Sequence, residues 1–271
     1  MEKLIKDIGG RTCHIYEYGE PTAIMIQPVD DHDIEVLDSE AAHIAELAKC
    51  GFLLVAFKVN DWNKELSPWP APAVFGDADF GSGADETLGY VLDELLPEIE
   101  EKYCGVHLRT SAGATSDARF PVVNDARFPV ANDTDLPAVN DAGLPVANEE
   151  RLPLFIGGYS LAGFFALWAA YQTKIFAGVA AASPSVWFPG WIEYAEASSI
   201  NAERVYLSLG DKEERTRNPV MRTVGDNLRR QNEILANDAG CCECTLEMNP
   251  GNHFKEPDRR TAKGFAWLMK Q

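Results

Sequence analysis

No stretch of this chain approaches the roughly 20 consecutive apolar residues that a membrane-spanning helix needs. Its first ten residues hold neither an apolar core nor a small-residue cleavage pattern, so no secretory leader is expected and the default location is the cytoplasm. Basic residues are scarce. There are 24 Lys and Arg against 42 Asp and Glu, a net charge of −18. A surface of that sign disfavours nucleic acid and anionic membrane as partners. Metal-ligand spacing is missing as well. The six cysteines read as reduced thiols, and Cys241-Cys242-x-Cys244 does not follow a zinc pattern. The acidic run Asp30-Asp31-His32-Asp33 has no further ligand at a diagnostic spacing, so no metal is expected there. A phosphate loop is excluded too. Gly76 and Gly81 are spaced for one, but Ser82 and Gly83 stand where Lys and Ser or Thr are required.

What is present is ample apolar material. The chain has 271 residues, 46% of them hydrophobic, enough for the core of a single α/β domain. Short apolar runs at 22–26, 52–57, 154–156, 176–182 and 205–209 read as buried strands, with a last strand at 242–248. Residues 1–20 suit one or two exposed strands. Helical patterns lie between the runs, at 38–49 with Gly51 as its C-terminal cap, at 85–103, after Ser160, and from Asn218 and Pro219 to 236. Residues 27–33 read as a polar loop. Strand and helix alternate, which predicts a mostly parallel sheet covered on both faces. Residues 60–83 read as a long loop carrying Trp62 and Trp69 and three prolines, and loops that follow strands are where α/β enzymes contact substrate.

Residues 117–148 differ in kind. Four tandem octads run from Asp117, Asp125, Asp133 and Asp141, each with one proline. The proline opposes helix or central strand, so the reading is a flexible or extended insertion within the one domain 1–271. Residues 149–155 continue the register, which suggests that the lead-in to the central strand was duplicated in tandem.

The chemistry centres on Gly157-Gly158-Tyr159-Ser160-Leu161-Ala162-Gly163. An apolar run, then a serine flanked by small residues, then a helix is the nucleophile elbow of a serine hydrolase. Ala162 stands where glycine is usual. Serine needs a base to take its proton, and the base needs an acid to orient it. On this fold the expected order is Ser, acid, His. Of the five histidines only His253 follows the last strand, in a Gly/Pro/Asn loop. Three acids follow the strand ending at Leu209. Glu213 is the first choice, then Asp211, then Glu214. Oxyanion donors are expected from the backbone N–H of Leu161 and of Val29 or Asp30, since Pro28 has none.

These residues resemble the esterase branch of the α/β hydrolases that includes esterase D-like, feruloyl and enterochelin (siderophore) esterases. The likeness is carried by Gly157 to Gly163, by Ser183-Pro184-Ser185-Val186-Trp187, by residues 207–213, by Gly251-Asn252-His253 and by residues 93–99. It implies the α/β-hydrolase fold and carboxylic-ester hydrolysis through an acyl-enzyme, without cofactor or metal, on a small-molecule ester. It also implies that Ser183 and Trp187 lie near the site. Acyl transfer on the same scaffold, or a non-catalytic binding protein, is the alternative.

Overall fold

The computed structural model describes residues 1–102 and 152–270. The octads at 117–148, with Cys104 and His107, lie outside the described residues. The chain starts with the hairpin β1 (Glu2–Ile8) and β2 (Arg11–Tyr18), whose turn glycines Gly9 and Gly10 both have positive φ. Then come β3 (Pro21–Val29), α1 (Asp31–Ala48), β4 (Gly51–Lys58) and the short α2 (Trp62–Glu65). Next, α3 (Ala84–Tyr90) runs through a π-turn at Val91–Leu95 into α4 (Leu96–Lys102). After the undescribed residues follow β5 (Leu154–Tyr159), α5 (Leu161–Gln172), β6 (Gly178–Ala182), α6 (Trp191–Glu196) and β7 (Arg204–Gly210). The described chain ends with α7 (Val224–Ala236), β8 (Glu243–Asn249) and α8 (Pro257–Leu268).

The eight strands form one sheet in the order β1-β2-β4-β3-β5-β6-β7-β8. The pairs β1–β2 and β2–β4 are antiparallel, and every other pair is parallel. The central strands are apolar on both sides. Ile24, Ile26, Leu53, Val55, Phe57, Leu154 and Ile156 pack into a core under α3–α4, α5, α6 and α7. Met25, Leu54, Ala56 and Phe155 pack on the opposite face beneath α1 and α8. Period-2 alternation between two buried faces is why these strands read as unbroken apolar runs. The chain builds the sheet outward from β3 in one direction and from β5 in the other. The switch point falls between these two strands, where open α/β sheets bind ligands beyond the strand C-termini. Pairing between β3 and β5 ends at Ile26–Ile156. Pro28 therefore sits where its missing N–H costs no ladder bond.

Several expected boundaries are corrected. Residues 27–33 are not a loop: β3 continues to Val29 and α1 begins at Asp31. Gln27 is buried because its amide donates to the buried Glu40 at 2.6 Å. The acidic run is a capping box, in which Asp30 caps the Asp33 N–H at 2.8 Å and Asp33 reaches back to Asp30 N–H. Helix 38–49 thus starts seven residues early. It is closed by Lys49 in the left-handed region (φ 58°), not by Gly51. Gly51 is instead the first residue of β4, where a Cβ would lie 1.8 Å from Glu20 O. Gly157 and Gly158 do not break their strand; both lie within β5. Gly157 lets α8 and β6 approach, since a Cβ there would meet Phe265 at 2.7 Å and Ala180 O at 2.8 Å. Asn218 and Pro219 precede a 3-10 turn at Met221–Thr223, and α7 begins only at Val224. Asn218 nevertheless caps, accepting from Val220 and Met221 N–H.

Candidate active site

Ser160 joins β5 to α5 at a φ of 57° and ψ of −120°, a strained conformation for any residue with a Cβ. The neighbouring glycines make the turn possible. Gly158 has φ +151°, and a Cβ there would sit 2.6 Å from the Ala162 Cβ. A Cβ on Gly163 would sit 2.8 Å from Gly158 O. Alanine at 162 is therefore tolerated because 158 is bare. The turn is held by Ser160 N–H donating to Ala182 O at 3.0 Å and Ser185 N–H donating to Ser160 O at 3.1 Å.

Strand ends bring the partners in. His253 follows β8, and its Nε2 lies 3.1 Å from Ser160 Oγ. Its Nδ1 lies 2.7 Å from Glu213 Oε2. A carboxylate at Nδ1 fixes the proton there and leaves Nε2 as the acceptor facing the serine hydroxyl. Glu213 is buried in a 3-10 turn after β7. Burial pushes its carboxyl up, yet the bonds from His253, Ser183 and the Gly210 N–H outweigh this and hold it below the ordinary carboxylate range. Glu213 Oε1 accepts from Gly210 N–H at 2.7 Å, Ser183 Oγ at 2.8 Å and Arg260 Nη1 at 3.0 Å.

The other candidate acids have different partners. Asp211 accepts Gly251 N–H at 2.8 Å and ties the two loops together. Glu214 pairs with Arg229 at 2.6 Å. Ser183 bonds Glu213 rather than lining open space, with its own φ at 44°. Trp187 lies in an aromatic cluster with Phe75, Phe80 and Phe188. Trp62 is partly buried and packs against the larger core. Trp69 donates to Pro189 O at 2.8 Å and so ties its loop to the segment between β6 and α6. Leu161 is the first residue of α5, so its N–H has no acceptor within the helix. Val29 O accepts from Val59 N–H at 3.0 Å, which turns Val29 toward β4. Asp30 N–H is directed at Asp33 Oδ2, 3.4 Å away, within the capping box at the start of α1.

Three residues escaped the sequence reading. Ser185 Oγ lies 3.4 Å from Ser160 Oγ. Tyr159 donates its hydroxyl to His253 O at 2.7 Å. Arg260 is 2% exposed on α8, with its guanidinium among Tyr159, Ser183 and Glu213. Its one sequence signal was a cation on the apolar side of an amphipathic helix, one turn ahead of Gly264.

No protein-family model matches this chain, and no curated protein does. Solved structures do. An IroE-like serine hydrolase from Shewanella oneidensis superposes with a TM-score of 0.67 at 13% identity, over 98% of this chain and 79% of that one. The siderophore hydrolase EstA from Aspergillus nidulans gives 0.65 at 15% identity, over 99% and 93%. The enterobactin and salmochelin hydrolase IroE gives 0.57 at 11%, over 100% and 95%. Identities this low speak to architecture alone. With the strand order and the switch point above, they show that this chain shares the fold of those hydrolases.

Proposed function

We propose that this protein is a serine-dependent carboxylic-ester hydrolase that works through an acyl-enzyme. The observation that carries the reading is the continuous relay from Ser160 Oγ to His253 Nε2 at 3.1 Å and from His253 Nδ1 to Glu213 Oε2 at 2.7 Å. Ser160 attacks the ester carbonyl while His253 takes its proton, then returns it to the departing alcohol. Glu213 holds the imidazole in the needed tautomer and stabilises the imidazolium. The oxyanion is received by Leu161 N–H at the start of α5. In the second half a water, activated by His253, releases the acid. The substrate is a small ester. Siderophore esters are the first class to try, since EstA and IroE are described as siderophore, enterobactin and salmochelin hydrolases. A cytoplasmic setting agrees with the five free cysteines among the described residues.

The test is hydrolysis of a p-nitrophenyl ester panel of varied acyl length, beside labelling by a fluorophosphonate. The wild type should turn over at least one ester and be labelled. Ser160→Ala and His253→Ala should each lose about 10³-fold or more of kcat/KM, and Ser160→Ala should lose the label. A wild type that is inactive on every ester and unlabelled would overturn the reading.

A further inference from the structure

Arg260 is the most heavily bonded buried cation among the described residues, and none of the steps above uses it. Nη1 points at Tyr159 Oη (3.0 Å), Ser183 Oγ (3.3 Å) and Glu213 Oε1 (3.0 Å). Nη2 points at Pro250 O (3.2 Å) and Asn252 O (3.0 Å). The directions of these bonds are mutually consistent. Tyr159 accepts from Arg260 and donates to His253 O. Ser183 accepts from Arg260 and donates to Glu213 Oε1. One planar fork therefore touches the last residue of β5, the acid after β7 and the carbonyls of the histidine turn. A buried charge is costly unless paired, and Arg260 has its counter-charge in Glu213 at 3.0 Å.

We infer that Arg260 is a positioning residue with two separable effects: its fork holds the 250–253 turn that presents His253, and its charge draws on Glu213 Oε1 so that only Oε2 serves the imidazole. The inference rests on the hydrolase reading for its kinetic part. The two effects differ in what they require. Holding the turn through Nη2 while Nη1 faces Glu213 needs two nitrogens in fixed geometry, which arginine has and lysine lacks. Balancing Glu213 needs only a positive charge. The charged or titratable groups around this centre are Arg260 on α8, Tyr159 on β5, Asp211 and Glu213 after β7, and Lys255 beside the histidine turn. Tyr159 is pushed to about 12, first by burial and then by Glu213, so it stays neutral across the working range. Among the described residues, Arg260 is the buried Lys or Arg that faces Glu213.

The experiment follows the His253 ring proton by NMR from pH 4 to 9 in the wild type, Arg260→Met and Arg260→Lys, with kcat/KM measured in parallel. Without the cation, Glu213 acts on the imidazole undiminished. The His253 midpoint in Arg260→Met should rise by about one pH unit. In Arg260→Lys the midpoint should stay at the wild-type position, while kcat/KM falls about tenfold because the turn loses its fork. An unmoved midpoint in a folded Arg260→Met, or wild-type kcat/KM in Arg260→Lys, would overturn the inference. If Arg260→Met does not fold, Arg260→Gln takes its place in the titration. Should the wild type hydrolyse no ester, the hydrolase reading fails, but the NMR titration still decides the role of the charge.

Discussion

Glu213 uses its two oxygens for different purposes. Oε1 is saturated by Gly210 N–H, Ser183 and Arg260, and among the described residues Oε2 meets the histidine alone. An amide cannot replace this, because its NH₂ group would confront a donor on one side or the other. Glu213→Gln should therefore lower kcat/KM by about 10²- to 10⁴-fold, as tautomer control is lost. Glu214→Gln breaks only a partly exposed pair with Arg229, and should stay within about threefold of the wild type. Asp211→Asn keeps an oxygen for Gly251 N–H and should also stay close to it. Ester turnover of the three variants checks the ranking; a large loss in Asp211→Asn with none in Glu213→Gln would reverse it. The sequence made this site legible in part. Ser160, Glu213 and His253 each stand just after a strand, and strand ends can be read from apolar runs. Arg260 could not be found in that way, because a buried cation is recognisable only once its acceptors, 8 to 101 residues away, are brought together.

At the scale of the element, α1 carries the clearest liability. Glu40 is buried on α1, with the Gln27 amide as its hydrogen-bond partner. Burial raises its carboxyl well above the ordinary range, and the nearby Asp33 and Asp258 add to this. Asp33 is itself pushed to about 6, chiefly by burial and then by Asp30. A carboxyl raised in the native state favours folding at low pH. Its contribution is whole below about pH 4.5, the unfolded value, and is lost as pH climbs through the native one. Glu40→Gln does not titrate and keeps an oxygen for Gln27. Its Tm should match the wild type near pH 4 and exceed it increasingly toward pH 8, by thermal melts across that range. The same helix explains why residues 27–33 misled. Capping boxes and buried Gln–Glu pairs are built from residues that also fill loops. Nothing local tells Asp30, which follows a strand and caps a helix, from an aspartate in solvent.

For the whole molecule, the switch between β3 and β5 decides where chemistry can occur, and that much followed from strand order. The eight-strand sheet and both helical layers are complete among the described residues, with neighbours on either side of 103–151. Removing residues 117–148 should accordingly leave a folded protein with ester turnover close to the full chain, by circular dichroism and kinetics. An insoluble or inactive deletion variant would give the octads a part in the fold. The path from Ser160 to its base carries one more consequence. Ser160 and its base are 93 residues apart in the chain, and Arg260 lies later still. A domain generally folds as a unit. The hydroxyl therefore gains its proton acceptor only when α8 and the loop before it dock against β5, so reactivity arrives together with the closing of that face of the sheet.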